Sequence, residues 1–352
     1  MPVERTFIHH NRSGESREYR EGMMEFLGEY GMFLAKAATL VAAVLVVVGG
    51  VVALVRRGEG QPEIRGRLDV RHLNETYDNM AFALKAATLP KKAFKQFQKN
   101  RKALEKQREK TERRRVFVLN FHGDIRAAAV ASLREEVTAV LTVAQPEDEV
   151  VVRLESAGGL VHAYGLAAAQ LLRIRDRRVK LTAAVDKVAA SGGYMMACVA
   201  DHILAAPFAV VGSIGVIAQL PNFNRLLKKH DIDYEQFMAG QFKRTVTVLG
   251  ENTDQGRRKF QEEIEDAHAL FKDFVKTHRP GVDLERVATG EHWYGARALE
   301  TRLVDELRTS DDYLLAASAA ADLYEVSYTG KKPWLVRLLS HAGEGLGQVR
   351  GF

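Results

Sequence analysis

The 352-residue chain has a single cysteine, Cys198. It can therefore form no disulfide within itself and no multi-cysteine metal site. It also lacks a His-Glu-x-x-His string, and none of its glycine clusters has the Walker or dinucleotide spacing. Internal repetition at periods of about 20–50 residues is absent, so the chain is not built as an array of stacked units. With 46% apolar and 27% charged residues it is neither collagen-like nor wholly disordered. An even spread of positive charge is missing too. The formal net charge is +6, yet residues 91–115 alone carry twelve Lys/Arg against three Glu, which leaves the remainder net negative. A basic balance confined to one segment argues against nucleic acid as a partner of the whole chain.

Residues 37–55 form a run of nineteen without a charge: eight Val, three Leu, five Ala, two Gly and one Thr. At 1.5 Å per residue a helix of this length spans about 28 Å, close to the hydrocarbon thickness of a bilayer. Its eleven Val and Leu favour insertion by about 3–7 kcal/mol in total. The thirty-six preceding residues, six of them Glu, do not suit a cleaved signal peptide. The run reads as an uncleaved, single-pass membrane anchor, with membrane lipid as an expected partner. Arg17, Arg20 and Lys36 precede it, against Arg56, Arg57, Arg65, Arg67 and Arg71 after it, a weak vote for a cytoplasmic C-terminal side.

Around the anchor, the chain divides into an extension over 1–36, a polar and basic helical linker over 56–115, a main domain over 116–330 and an amphipathic tail over 331–352. The basic run of the linker reads either as a contact for anionic lipid head groups or as a solvated spacer. From Val116 the texture changes. Short β-rich runs at 116–121, 150–154 and 179–185 alternate with helix-period stretches near 127–144 and 160–175, the pattern of βαβ units on a largely parallel sheet. Further strands are expected near 202–206 and 209–217, a helix over 222–229, a short strand over 234–238, a long amphipathic helix over 255–278 and a last strand over 324–328.

Three glycine-bearing turns follow strands: Glu155-Ser-Ala-Gly-Gly159, Ala189-Ala-Ser-Gly-Gly-Tyr194 and Gly212-Ser-Ile-Gly215. In parallel α/β folds such turns at strand C-termini are where ligands bind. Ser191 is the best candidate nucleophile, because alanines and glycines clear both its flanks and a helix N-terminus beside it offers free N–H groups to a developing oxyanion. Equally, Ser191 can be a plain N-cap with glycines permitting tight packing. A serine needs a base. His162, His202, His230, His268 and His292 lie in no recognisable triad context. A desolvated lysine is the other activator. Lys243 differs from the lysines of the charged runs, since it follows the small, partly apolar stretch Met238-Ala-Gly-Gln-Phe242 and precedes Thr245-Val-Thr-Val-Leu249.

Together these strings resemble the S49 family of membrane serine peptidases. The resemblance runs from Val116 to about Leu307. It is carried by Leu154-Glu-Ser-Ala-Gly-Gly159, Asp186-Lys-Val-Ala-Ala-Ser-Gly-Gly-Tyr194, Val211-Gly-Ser-Ile-Gly-Val216, Ala239-Gly-Gln-Phe-Lys-Arg-Thr245, Leu249-Gly-Glu-Asn-Thr253 and Thr289-Gly-Glu-His-Trp-Tyr-Gly295, in family order. It implies an α/β fold of the ClpP/crotonase-like kind and a Ser–Lys dyad of Ser191 and Lys243. It also implies that Gly158, Gly159 and Gly192 meet the oxyanion and the substrate backbone. The family commonly has proline where Ala157 stands, a change that loosens the turn and leaves its N–H donors in place. A peptide or protein substrate, no cofactor, a place in the bacterial inner membrane with a periplasmic peptidase domain, and a homo-oligomer with dyads shared between protomers follow as expectations from the same resemblance. An acyl-CoA enzyme on the same fold and a catalytically silent membrane scaffold are the competing readings.

Overall fold

The computed structural model describes residues 31–46, 66–108 and 113–330, with the backbone alone for 104–108. The chain divides into two compact units, Met1–Ile64 and Arg65–Phe352. In the first, residues 31–46 form helix α1, whose apolar side chains, among them Phe33, Leu40 and Leu45, are exposed. Among the described residues no helix is long and apolar enough to cross a membrane. Residues 47–55 of the apolar run, the extension over 1–30 and the tail over 331–352 lie outside the described residues.

The second unit begins with strand β1 (Arg67–His72) and helices α2 (Leu73–Thr88) and α3 (Lys91–Arg108). Strands and helices then alternate through β2 (Arg115–Gly123), α4 (Val130–Leu141), β3 (Glu149–Ser156), α5 (Val161–Asp176) and β4 (Lys180–Val185). Next come β5 (Val188–Ala190), α6 (Gly192–Ala197), β6 (His202–Ala205), β7 (Val210–Gly212), α7 (Asn224–Lys229) and α8 (Asp254–His278). The chain finishes with α9 (Leu284–Val287), β8 (His292–Tyr294), α10 (Gly295–Glu300), β9 (Glu306–Leu307), α11 (Ser310–Ala317) and β10 (Asp322–Thr329).

The ten strands of the described residues belong to one sheet, ordered β1-β10-β2-β3-β4-β6-β9, with β5, β7 and β8 as a branch from β3. Pairing is parallel except at β1–β10 and β7–β8. The central strands are apolar at successive positions because both faces are covered. Phe117, Leu119 and Phe121 of β2 join Val150, Val152 and Leu154 of β3 under α4, α5 and α6. Val116, Val118 and Val151 point the other way, toward Leu73 of α2 and Leu314 of α11. The period of two along each strand thus feeds two separate cores.

Three expectations change. The sheet starts at Arg67, inside the stretch that reads as a linker; β1 alternates charged with apolar residues and is an exposed edge, so it lacks the apolar run that marks a buried strand. Asn74 fastens α2 behind it: buried, it donates to the carbonyls of Ser318 and Ala321 (both 3.0 Å) and accepts the Leu323 N–H at 2.8 Å. The strand expected over 234–238 does not form, and the one near 209–217 stops at Gly212, where Ser213 takes φ 50° and leaves the ladder.

Glu136 of α4 is 5% exposed and accepts the Tyr328 N–H at 2.8 Å. Burial pushes its carboxyl up to about 7, against a smaller downward pull from that hydrogen bond. An acid whose folded pKa lies above its unfolded value loses stability as pH rises between the two, here from about 4.5 to about 7. Glu136→Gln keeps the acceptor and removes the charge. The variant is expected to be more stable than the parent by up to about 3 kcal/mol at pH 8 and about equal at pH 4.5, read from urea midpoints. Equal midpoints at both pH values would refute the burial argument.

Candidate active site

The branch in the sheet opens the site. Strand β3 pairs with β4 as far as Arg153↔Ala184 and then with β5 through Ser156↔Ala189. Beyond that point its chain turns through Ala157–Leu160 into α5, while β5 turns through Ser191 into α6. The two βα turns lie against each other. Gly158 has φ 91°, and a Cβ added to it would stand 2.8 Å from the Ser191 Cβ, 2.7 Å from the Gly192 nitrogen and 2.8 Å from the Ala190 oxygen. Only a glycine fits that contact. Gly159 packs equally closely on the Ile125 carbonyl, which accepts the Leu160 N–H at 2.9 Å.

Ser191 occupies the N-cap position of α6, but its side chain makes no capping hydrogen bond. Its backbone has φ 51° and ψ −120°, a conformation that costs a non-glycine residue about 1–3 kcal/mol and persists only where neighbours impose it. Those neighbours are the Gly158 contact and the Ser191 N–H, which donates to the Gly212 oxygen at 2.8 Å. The side chain is half-buried and projects from a strained strand-to-helix turn, as serine hydrolases present their nucleophile. An N-cap role leaves the strain and the uncapped hydroxyl unexplained. The glycines do pack tightly as well: the Tyr164 ring fills the space a Gly192 Cβ would need, and the Ser156 carbonyl does the same at Gly193.

The turn donors divide in a way that residue order does not reveal. The Gly158 N–H donates to Ser156 Oγ at 3.1 Å. The Gly159 N–H has no acceptor among the described residues. Gly192, the first residue of α6, has no intrahelical acceptor for its N–H. Among the described residues the N–H groups of Gly159 and Gly192 thus meet no acceptor, whereas that of Gly158 is taken. In the third turn, Ser213 is committed elsewhere: its N–H donates to the Glu291 oxygen at 2.7 Å and its hydroxyl to the Gly290 oxygen at 3.3 Å.

No histidine hydrogen-bonds to Ser191 among the described residues. His202 lies between Glu306 (3.1 Å) and Asp305 (3.9 Å), and His268 meets the Ile214 carbonyl at 3.2 Å. His162, His230 and His292 are exposed. Lys243 sits in the irregular stretch between α7 and α8. Its N–H donates to the Gly240 oxygen at 3.1 Å, while its side chain is exposed and bonds to no described residue of its own chain, Ser191 included. The stretch leading to it leaves large apolar side chains in solvent, among them Ile217, Phe223, Ile232, Phe237 and Phe242. The structure therefore brings Ser191, Gly158 and Gly192 together, places Gly159 on the adjacent turn, and leaves Lys243 apart.

Comparison with known proteins gives the same class. The family model "Peptidase family S49 N-terminal" matches residues 25–171, and "Peptidase family S49" matches 173–324. The chain is 46% identical over 334 residues to "Probable protease SohB" of Haemophilus influenzae, covering 91% of this chain and 94% of that one. A second "Probable protease SohB", from Buchnera aphidicola subsp. Acyrthosiphon pisum, is 50% identical over 240 residues, covering 68% of this chain and 71% of the relative. The chain is a serine peptidase, a hydrolase. It belongs to peptidase family S49, and the acyl-CoA and silent-scaffold readings are set aside.

Proposed function

We propose that the protein is a membrane-anchored serine endopeptidase with a Ser–Lys dyad, acting on membrane-associated peptides or proteins, residual signal peptides among them. The observation that carries the nucleophile is the uncapped Ser191 on a strained turn, flush against the Gly158 turn. Ser191 Oγ attacks the scissile carbonyl carbon while the Lys243 amine takes its proton. The Gly159 and Gly192 N–H groups receive the developing oxyanion. Collapse of the tetrahedral intermediate breaks the C–N bond, and the lysine returns the proton to the leaving amine. Water then repeats the sequence on the acyl-serine and frees the enzyme.

The lysine comes from a neighbouring copy of the chain in this reading. Support comes from the Lys243 side chain, which has no partner among the described residues of its own chain, and from the exposed apolar residues of 217–242, which a second copy would cover. The apolar run 37–55 supplies the anchor and contacts lipid. The peptidase domain lies on the periplasmic side, as in the family it resembles, against the weak charge vote of the flanking arginines.

A serine-reactive fluorophosphonate probe tests the assignment, followed by mass-spectrometric mapping and run beside casein turnover. Modification at Ser191 with parallel loss of turnover is expected. Loss of turnover with the probe on another serine would refute it.

A further inference from the structure

We propose that Tyr164 and Ser156 are positioning residues of the peptidase site: a buried pair of hydroxyls that sets the glycine turns around Ser191. The inference rests on the reading of Ser191 as nucleophile and concerns residues that reading does not use.

Tyr164 stands in the first turn of α5 and is fully buried. Its hydroxyl donates to the Asp124 carbonyl at 2.6 Å and lies 2.5 Å from Ser156 Oγ. A phenol has one proton, and with that proton on Asp124 the Tyr164 oxygen is an acceptor for the Ser156 hydroxyl. Ser156 Oγ also lies 3.3 Å from the Gly123 oxygen, a second acceptor for the same proton. Its lone pairs remain free to accept the Gly158 N–H at 3.1 Å. Each proton and each buried oxygen of the pair has a partner, so the arrangement holds one geometry.

Tyr164 reaches the other donor with its ring. The ring occupies the space beside Gly192 that a Cβ would need, so one side chain supports Gly192 by contact and Gly158 through Ser156. Gly123 is hemmed in by the same pair: a Cβ there would fall 2.5 Å from both Ser156 Oγ and the Tyr164 hydroxyl. The ends of β2 and β3 are thus registered to one another by two oxygens, and the Tyr164 ring sets the start of α6 against them. Burial pushes the Tyr164 phenol above its ordinary value, with only a partial offset from Ser156. It therefore stays protonated through the working range and acts as a hydrogen-bonding group, not as a base. The consequence for the reaction is geometric. Ser156 holds the Gly158 amide, and with it the turn that carries the following Gly159 N–H.

The test compares Tyr164→Phe and Ser156→Ala in the full-length protein, using peptide turnover, thermal melting and the rate of fluorophosphonate labelling at Ser191. Removing one oxyanion donor in a serine protease costs about 10²–10³-fold in kcat, so loosening one without removing it is expected to cost about 10–100-fold. KM should stay within about twofold, because ground-state contacts are kept. The pH–rate profile should keep its midpoint, since no titrating group changes. The double variant should be no slower than the slower single, because both substitutions break one relay. A purely structural pair gives the opposite pattern: a lowered melting temperature with near-parental kcat well below it, which overturns the inference. Should Tyr164→Phe fail to fold, Ser156→Ala breaks the relay from its other end and decides alone. An unmodified Ser191 in the parent would instead remove the underlying assignment, an outcome distinct from labelled, active parent and equally active variants.

Discussion

Ser191→Ala is expected to lower peptide turnover by about 10⁴-fold or more while leaving the fold in place. The substitution removes one oxygen, and that oxygen caps nothing. Alanine inherits the same strained φ, so the backbone cost is unchanged between parent and variant. Little stability is at stake, and a melting temperature close to the parent's should accompany the loss of activity. Ser213→Ala is the internal comparison. Its hydroxyl bonds to the Gly290 carbonyl at 3.3 Å and has no part in the proposed chemistry, so most of the turnover should survive. A Ser191→Ala protein that hydrolyses peptides at the parental rate would sink the nucleophile assignment, whatever the family.

The contrast between those two serines shows what residue order conveys and what it withholds. Both sit in glycine-bearing turns after strands, and both take positive φ, 51° and 50°. Nothing in either string tells that one hydroxyl is free and the other committed; that depends on Gly290, seventy-seven residues away. The central strands are legible because burial on both faces forces long apolar runs at 116–121, 150–154 and 179–185. The three-residue β5 is too short to carry a pattern of its own, and its place is set by Ser156↔Ala189 and Ala189↔Val211. Edge strand β1 reads as linker because its outward charges mask its pairing with β10. Ser156 and Tyr164 escape for another reason. A serine at a strand end and a tyrosine in the next helix are ordinary apart, and only the tight βα connection puts their hydroxyls at 2.5 Å. The faint signal was Ser156 itself, a polar residue that would be buried by its strand position.

Lys243→Ala and Lys243→Arg are expected to be equally inactive, and mixing either with Ser191→Ala should restore activity. The first half follows from proton chemistry: a base must be neutral to take the Ser191 proton, and a guanidinium never is. Turnover by the arginine variant near the parental rate would assign the base to another residue. The second half follows from where the side chains stand. In one chain Ser191 is flanked by Gly158 and Gly192, while Lys243 is exposed on a stretch with apolar Phe237 and Phe242 in solvent. A head-to-tail contact that covers this stretch can deliver the amine to a neighbour's serine, whereas a monomer leaves both the apolar surface and the amine in water. Suppose Ser191→Ala and Lys243→Ala subunits are dissociated, mixed in equal amounts and reassembled. A site then has an intact serine in half of cases and an intact neighbouring lysine in half, so about one site in four is whole in a cyclic arrangement. Turnover should return to about a quarter of the parental rate, and each variant reassembled alone should stay inactive. If each chain closes its own dyad, no mixed site contains both groups, and the mixture will be as inactive as its parents.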